Sequence, residues 1–519
     1  MHLTQSLHKA LRERPDATAV VCGARRATFR QFAERAARLA AALRKLGMRP
    51  GDRVGMLSLN SVRYVEYLYG VWWGGGVINP VNIRWSAREV AYSLDDCDTR
   101  ILLVDACFSA QAGALRELSG SLRTLVYCGD DEVPAGMVGY EQIMAESDAM
   151  DDAWRGGDDL AAVMYTGGTT GTPKGVMLSH ANLYVNALSA VAAVPRPEGE
   201  KVGLVVAPFF HVAGCGLSLQ MMQRLMTQVV VPVFDEVAVL RSIHGEGVTE
   251  TFLVPTMIKR LVEHARFAEF DLGSLRMMFY GAAPIDATLL AQAMQALPRV
   301  EFCQVYGMTE LAPTISVLLP TDHRPGLDQA KRLRSAGRPV PIAEVRIVDD
   351  AGRELPPGAV GEICARGPMV MQGYWNKPEE TAAVLRDGWM HTGDGGYRDA
   401  EGYLYVVDRL KDMIVTGGEN VYSAEVENAI AQLPQVSMCA VIGVPDDQWG
   451  ERVHAVIVLR PGTALDELGV ITHCRGLVAG YKCPRSIEFR NELPLSPAGK
   501  LQKFILREPF WAGHDRRIN

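Results

Sequence analysis

Four threonines, four glycines and one lysine fall within the eleven residues Tyr165 to Gly175, which read YTGGTTGTPKG. Glycine lets successive backbone N–H groups turn inward, while hydroxyls and a lysine add donors and positive charge, so the stretch describes a cradle for phosphate oxygens. It is not the Walker arrangement: Lys174 follows a proline and precedes a glycine, where a magnesium-binding Ser or Thr would stand. Apolar runs at Ala161 to Tyr165 and Val176 to Leu178 read as short strands on either side, so the loop belongs to a folded unit and is no linker.

Other chemistry-bearing groups follow at intervals. Pro208-Phe209-Phe210-His211-Val212-Ala213-Gly214 comes after the buried strand Val202 to Ala207, a place where α/β proteins put ligands, and His211 reads as part of a pocket wall. Gly281-Ala282-Ala283-Pro284 ends the strand Met277 to Tyr280, and a backbone so poor in side chains lets a flat ring lie against it. Tyr306-Gly307-Met308-Thr309-Glu310 ends the strand Val300 to Val305; magnesium held by phosphates needs one or two protein carboxylates, which Glu310 can supply. Thr392-Gly393-Asp394 reads as a turn whose aspartate could accept from a ribose diol. Asp408-Arg409-Leu410-Lys411-Asp412 precedes a second glycine-rich loop, Thr416-Gly417-Gly418-Glu419-Asn420. Lys500, in the rigid turn Leu495 to Lys500, reads on its own as a surface lysine.

The elements that must position these groups alternate. Thr28 and Gln31 form a capping-box pattern ahead of Phe32, Ala36, Leu39, Leu43 and Leu46 on one helical face, with Gly47 as the stop. Arg53 to Leu59 reads as a strand, Val62 to Trp73 as a helix, the Gly74-Gly75-Gly76 run as a tight turn and Ile101 to Val104 as a buried strand. Ser179 should cap a helix whose apolar side carries Leu183, Ala187, Leu188 and Val191. The fold class is therefore α/β with a parallel sheet, turning β-rich after residue 340 (Glu344 to Val348, Gly361 to Cys364, Tyr403 to Val407). A boundary at Asp408 divides the chain into 1–408 and a compact α+β unit, 409–519. That unit should hold a helix capped by Ser423, strands Val436 to Val444 and Val453 to Leu459, a helix over Leu465 to Ala479, and a strand Ile487 to Phe489.

Bulk properties narrow the function classes. A net charge of -7 without a basic run argues against nucleic acid. The ten cysteines show no CxxC pair or metal spacing, which fits a reduced compartment. The N-terminus lacks a signal peptide's apolar run and no segment approaches a membrane span, so the expectation is a cytoplasmic protein for which peripheral membrane contact and a homodimer are compatible.

Taken in order, YTGGTTGTPKG, YGMTE, TGD, DRLKD, GGEN and SPAGK resemble the motifs of the adenylate-forming superfamily of acyl-CoA synthetases, coumarate ligases, firefly luciferase and peptide-synthetase adenylation domains. The likeness runs nearly end to end. It implies a large N-terminal domain of two α/β sheets and a small β subdomain, a small mobile C-terminal domain, and the co-substrates ATP, coenzyme A and a carboxylic acid, with magnesium. By that resemblance Thr166, Gly167, Gly168, Thr169, Thr170 and Lys174 hold the β- and γ-phosphates. Gly281, Ala282, Ala283 and Tyr306 sandwich the adenine, and Asp394 with Arg409 holds the ribose. Gly417, Gly418 and Glu419 line a pantetheine tunnel, and Asp408 is the hinge. The catalytic set is Lys500, which bridges the acid and the α-phosphate, with Thr309 on the α-phosphate, Glu310 on magnesium and His211 at the acid.

Three departures from the family pattern stand out. Gly167 replaces the common Ser, as in some bacterial long-chain acyl ligases; Val305 replaces Gly; Val415 replaces a coumarate-ligase lysine. The acid pocket implied by the resemblance lies along His211, Val212, Ala213, Leu217, Gly307, Met308, Thr314 and Ile315, with no aspartate to pair an amine and no arginine for a malonate-type acid. An apolar acid follows. Ala213, where several aromatic-acid ligases carry Tyr, points to a medium- or long-chain fatty acid, with an aryl acid or an acyl-AMP ligase loading a carrier protein as alternatives.

Overall fold

The computed structural model describes residues 1–512 apart from 167–172, 197, 198, 200, 284, 327, 328, 410, 411, 417, 418, 447 and 496–500, with the backbone alone at 408, 409 and 420. Two large sheets carry most of the chain. One has eight strands, with Arg53–Leu57 flanked by the parallel strands Val77–Pro80 and Ile101–Val104, and with Leu160–Thr166, Lys174–Ser179 and Gly373–Tyr374 in succession toward one edge. The other has nine, in which Val202–Val205, Glu250–Leu253, Met277–Gly281 and Glu301–Gly307 run parallel side by side and Thr314–Leu318 turns back antiparallel.

Between the sheets lies the Val62–Trp73 helix, and all twelve of its residues are buried. A helix apolar almost all round belongs in an interior, and its two charged members, Arg63 and Glu66, are correspondingly paired. Glu66 accepts from Arg35 at 3.0 Å and from the Tyr140 hydroxyl at 2.7 Å. Trp72 Nε1 donates to the Ala161 carbonyl at 3.0 Å, tying this helix to the strand that leads into the glycine-threonine loop. Its neighbour, the Phe29–Lys45 helix, starts on the expected capping box: Gln31 N–H meets Thr28 Oγ1 at 3.2 Å and Thr28 N–H meets Gln31 Oε1 at 2.9 Å.

Five antiparallel strands form the β-rich subdomain, centred on Gly361–Arg366 and Trp389–Arg398, the latter paired with Leu404–Arg409. A last sheet is built on the long hairpin Val436–Asp446 and Gly450–Leu459, with Ser486–Phe489 parallel to the latter. This unit touches the rest through Lys259 Nζ, which donates to the Ser437 carbonyl at 2.5 Å, and through the Arg460–Glu263 ion pair at 3.3 Å.

Four local expectations need correction. Leu188 is 48% exposed: the buried side of the His180–Ala193 helix runs through Leu183, Asn186, Ala187 and Ala190, so a polar residue takes the place assigned to a leucine. Ser423 is the first residue of its helix and does not cap it; Tyr422 stands at the cap and Lys503 Nζ donates to the Ser423 hydroxyl. The helix expected over Leu465 to Ala479 spans only Glu467–Arg475, with Gly476 at its C-cap. The first inner strand stops at Leu57, because Ser58 turns to donate to Asp105 at 3.0 Å.

Candidate active site

The strands Leu160–Thr166 and Lys174–Ser179 form a hairpin whose closing pair is Thr166 opposite Lys174. The two ends of the glycine-threonine loop thus meet across one strand pair; Gly167, Gly168, Thr169 and Thr170 lie outside the described residues. Lys174 Nζ sits 5.1 Å from the centre of the Tyr374 ring, a cation–π arrangement. Tyr374 is there because Gly373–Tyr374 pairs antiparallel with the lysine strand and because Trp375 N–H donates to the Gly175 carbonyl at 2.7 Å. The same tyrosine gives its hydroxyl proton to Glu310 Oε1 at 2.9 Å. One aromatic residue therefore links the lysine to the carboxylate, although 64 residues separate it from Glu310.

Glu310 is buried, in the short 3₁₀ turn Thr309–Leu311 that follows the Glu301–Gly307 strand. That strand end is tightly constrained. A side chain at Gly307 would come within 1.8 Å of the Pro313 carbonyl oxygen, and one at Gly281 within 2.1 Å of the Val305 carbonyl oxygen, so both must be glycine. Ala282 carries a positive φ of 64°, a conformation alanine rarely adopts and one that marks a backbone held by its surroundings. Ala282 and Ala283 keep partial exposure beside Tyr306, which places the small-residue turn and the aromatic ring at adjacent strand ends.

Asp394 is the second buried carboxylate, and Tyr306 donates to its Oδ2 at 2.6 Å. Thr392-Gly393-Asp394 is not the turn expected from the sequence but a bulge inside the Trp389–Arg398 strand. Gly393 takes the φ of 69° that the bulge requires, and Glu362 Oε1 accepts its N–H at 3.0 Å. Glu362 also lies 2.7 Å from His391 Nδ1, with Cys364 Sγ 3.3 Å from the same nitrogen. Among the described residues these three form the cluster of metal-type ligands, yet Arg386 donates into it, and its evident effect is to brace the bulge. The Arg409 backbone pairs with Asp394 across the sheet, and the Asp408 backbone with Gly395. Lys500, Gly417 and Gly418 lie outside the described residues; Glu419 opens the strand Glu419–Val421.

On the opposite wall, His211 is the N-cap of the Val212–Gln223 helix. Asn60 holds the preceding loop, accepting from Phe209 N–H at 2.9 Å and donating to the Ala207 carbonyl at 3.1 Å. Gly214 packs so close that a Cβ would lie 2.4 Å from the Pro208 carbonyl oxygen. Ala213 and Met308 keep partial exposure, whereas Val212, Leu217, Thr314 and Ile315 are buried. Asn186 fixes the Thr314 backbone, donating to its carbonyl at 2.7 Å and accepting its N–H at 3.3 Å. Asn60, Asn186, Glu362 and Tyr374 were not singled out from the sequence. Each acts through partners more than 25 residues away, and a polar residue inside an apolar run was the only available signal.

Known families, relatives and structures resemble the chain over nearly its whole length. The family model described as AMP-binding enzyme matches residues 7–375, and that of the AMP-binding enzyme C-terminal domain matches residues 425–500. A feruloyl-CoA synthase of an Amycolatopsis species is 40% identical over 497 residues, covering 96% of both chains. A fatty acid–acyl-carrier-protein ligase of Streptomyces coeruleorubidus is 35% identical, covering 99% of this chain and 97% of its own. The crystal structure of an anthranilate CoA ligase in complex with anthranoyl-AMP superposes with a TM-score of 0.90 at 29% identity, over 98% and 97% of the two chains. With the family models covering most of the sequence and full-length relatives above 30% identity, the chain belongs to the AMP-binding enzyme family.

Proposed function

We propose that this protein is an ATP-dependent acyl-CoA ligase that activates a carboxylic acid with an apolar body as its adenylate, releases pyrophosphate, and passes the acyl group to the CoA thiol. The observation that carries the reading is the pair of buried carboxylates: Glu310, which Tyr374 links to Lys174 at the Thr166–Lys174 hairpin, and Asp394, which Tyr306 links to the end of the Glu301–Gly307 strand. A nucleotide laid across these ends meets a cation and hydroxyls at its phosphates, Ala282, Ala283 and Tyr306 at its base, and Asp394 at its ribose. Glu310 offers the oxygen-only chemistry that magnesium takes, and when bound the ion neutralises phosphate charge.

An anionic acid must attack an anionic phosphate, so the step needs added positive charge. Lys500 supplies it between the attacking oxygen and the α-phosphate, while Thr309 orients that phosphate and Lys174 holds the departing pyrophosphate. The unit beyond residue 409 then turns about Asp408, withdraws Lys500 and brings the Gly417-Gly418-Glu419 loop to the thiol. Such a turn would break the contacts of Lys259 with Ser437 and of Arg460 with Glu263.

The acid lies along Ala213, Leu217 and Met308. Similarity to a feruloyl-CoA synthase favours an aryl acid; Ala213, which offers no ring to stack, and the likeness to a fatty acid ligase favour an alkyl chain as the second reading. Pyrophosphate release across fatty, aryl and dicarboxylic acids, with and without CoA or a carrier protein, tests all of this. AMP, pyrophosphate and a CoA thioester are the expected products. Release of ADP, or no thioester from any acid, would overturn the reading.

A further inference from the structure

The Ala87–Asp96 helix breaks a local rule in its last turn. It ends on two aspartates, Asp98 follows the Cys97 cap, and the turn holds no basic residue. A helix C-terminus is the negative end of the peptide dipole, so carboxylates there are kept against local preference by what they touch. Surface neighbours explain two of the three. Asp95 accepts from the hydroxyls of Ser119 and Ser121 at 2.6 Å and 2.8 Å, and Asp98 pairs with Arg100 at 3.1 Å. Asp96 instead engages the hairpin of the glycine-threonine loop.

The Tyr165 hydroxyl donates to Asp96 Oδ2 at 2.6 Å. Tyr165 is the residue before Thr166, pairs with Gly175 across the hairpin, and is buried with the edges of Trp85 and Tyr92 against it, ring centres 6.4 Å and 6.5 Å away. Burial pushes the Tyr165 phenol above its ordinary pKa, so it stays a donor. The Asp96 backbone carbonyl meanwhile accepts from Trp375 Nε1 at 2.8 Å and from Asn376 Nδ2 at 3.1 Å. These two residues directly follow Tyr374, the ring that meets Lys174. Arg53 secures the same corner: its guanidinium lies 5.0 Å from the Trp375 ring centre, and its Nε donates to the Cys97 carbonyl. Asp96 thus reaches both arms of the hairpin site, one through its side chain and one through its backbone, although they lie 69 and 279 residues away in sequence.

We propose that Asp96 is a positioning residue for the triphosphate: its carboxylate fixes Tyr165 so that Thr166 and the loop it opens receive the β- and γ-phosphates without further ordering. The claim rests on the hairpin being the phosphate grip of the proposed ligase. A hydrogen bond to an ionised acceptor is among the stronger kinds, and a loop whose ends are already fixed loses less conformational freedom when its ligand arrives. On this reading the α-phosphate meets Thr309 and only the outer phosphates reach the hairpin. Asp96 therefore serves a nucleoside triphosphate and is indifferent to a monophosphate.

Calorimetric titration of the full chain with magnesium-ATP and with AMP, alongside pyrophosphate release, tests this. In Asp96→Ala and in Tyr165→Phe the dissociation constant for ATP should rise about tenfold, the scale of a hydrogen bond to a charged group, while that for AMP changes less than about twofold. The double variant should bind ATP no worse than either single one, because the two groups make one contact. Asp96→Asn, whose amide oxygen still accepts the phenol proton, should recover most of the ATP affinity, and KM for the acid should stay constant throughout. Tyr165→Phe, which removes a single oxygen, carries the comparison where Asp96→Ala fails to fold. Equal loss of ATP and AMP binding overturns the inference and makes Asp96 a brace of the whole domain; unchanged ATP affinity, or losses that add in the double variant, overturn it as well. Wild type that binds ATP but releases no pyrophosphate with any acid overturns the ligase reading and leaves the nucleotide comparison to decide this inference. Wild type that binds neither nucleotide overturns both.

Discussion

The two ends of the proposed site are built on different terms. At the nucleotide end each buried carboxylate already has a protein donor: Tyr374 for Glu310, Tyr306 for Asp394. At the acid end the fixing groups are neutral: Asn60 holds the backbone of Phe209 and Ala207, and Asn186 holds that of Thr314. A satisfied charged network is rigid and can be presented ready-made to a ligand that never varies, whereas neutral amides that grip only the backbone leave the choice of lining side chain open. The first arrangement suits a common co-substrate and the second suits selection among acids.

Predictions that break or sharpen this contrast run from large to small. Lys500→Ala should lower pyrophosphate release by on the order of a hundredfold or more, the value of a positive charge about 4 Å from the reacting anions, while sparing thioester formation from supplied acyl-adenylate. If both half-reactions fall equally, the lysine does not alternate between them. Asp394→Asn should raise KM for ATP by roughly tenfold to a hundredfold, the worth of a charge-assisted hydrogen bond, and leave the ranking of acids unchanged. A changed acid ranking in that variant would show that the two ends are not independent.

Acid pH attacks the scaffold that carries both ends. Burial lowers the pKa of His180 from 6.5 to about 4. The unfolded chain therefore binds more protons through that interval, so the stabilisation is complete above the unfolded value and is lost as pH falls toward the folded one. Stability should drop by roughly 2 kcal/mol between pH 7 and pH 5 on this account. His180→Gln, which can still accept the Leu3 N–H that His180 Nδ1 receives at 3.3 Å, should flatten the pH dependence of the denaturation midpoint. An unchanged slope would assign the acid lability elsewhere. Tyr374→Phe removes one hydrogen bond and keeps the ring over Lys174, so kcat/KM for ATP should fall only about two- to tenfold, a net effect near 1 kcal/mol. A loss as large as that of Asp394→Asn would mean that the hydroxyl orients more than Glu310.

The sequence discloses the nucleotide end well and the acid end poorly, for a physical reason. Short-range chemistry is local: the capping box at Thr28 and Gln31, the apolar run of the Val62–Trp73 helix and the glycine at 307, pressed by Pro313, are legible in residues close together in sequence. The residues that hold the site together are not. Tyr374 reaches Lys174 and Asn186 reaches Thr314 only after strands distant in sequence lie side by side. A turn was read at Thr392-Gly393-Asp394 because glycine between polar residues is the same local signal whether it serves a turn or a bulge, and only the partner strand decides between them.

The two-residue strand Gly373–Tyr374 has a consequence for how the chain is made. It covers the outer side of the Lys174–Ser179 strand, which would otherwise end its sheet with unpaired backbone groups. The cover is translated about 200 residues after the strand it protects, a delay on the order of 10–40 s at ordinary elongation rates. For that interval the nascent first sheet presents an unpaired strand edge beside the glycine-threonine loop. The moment that shields it from other chains is the same moment that sets Tyr374 between Lys174 and Glu310.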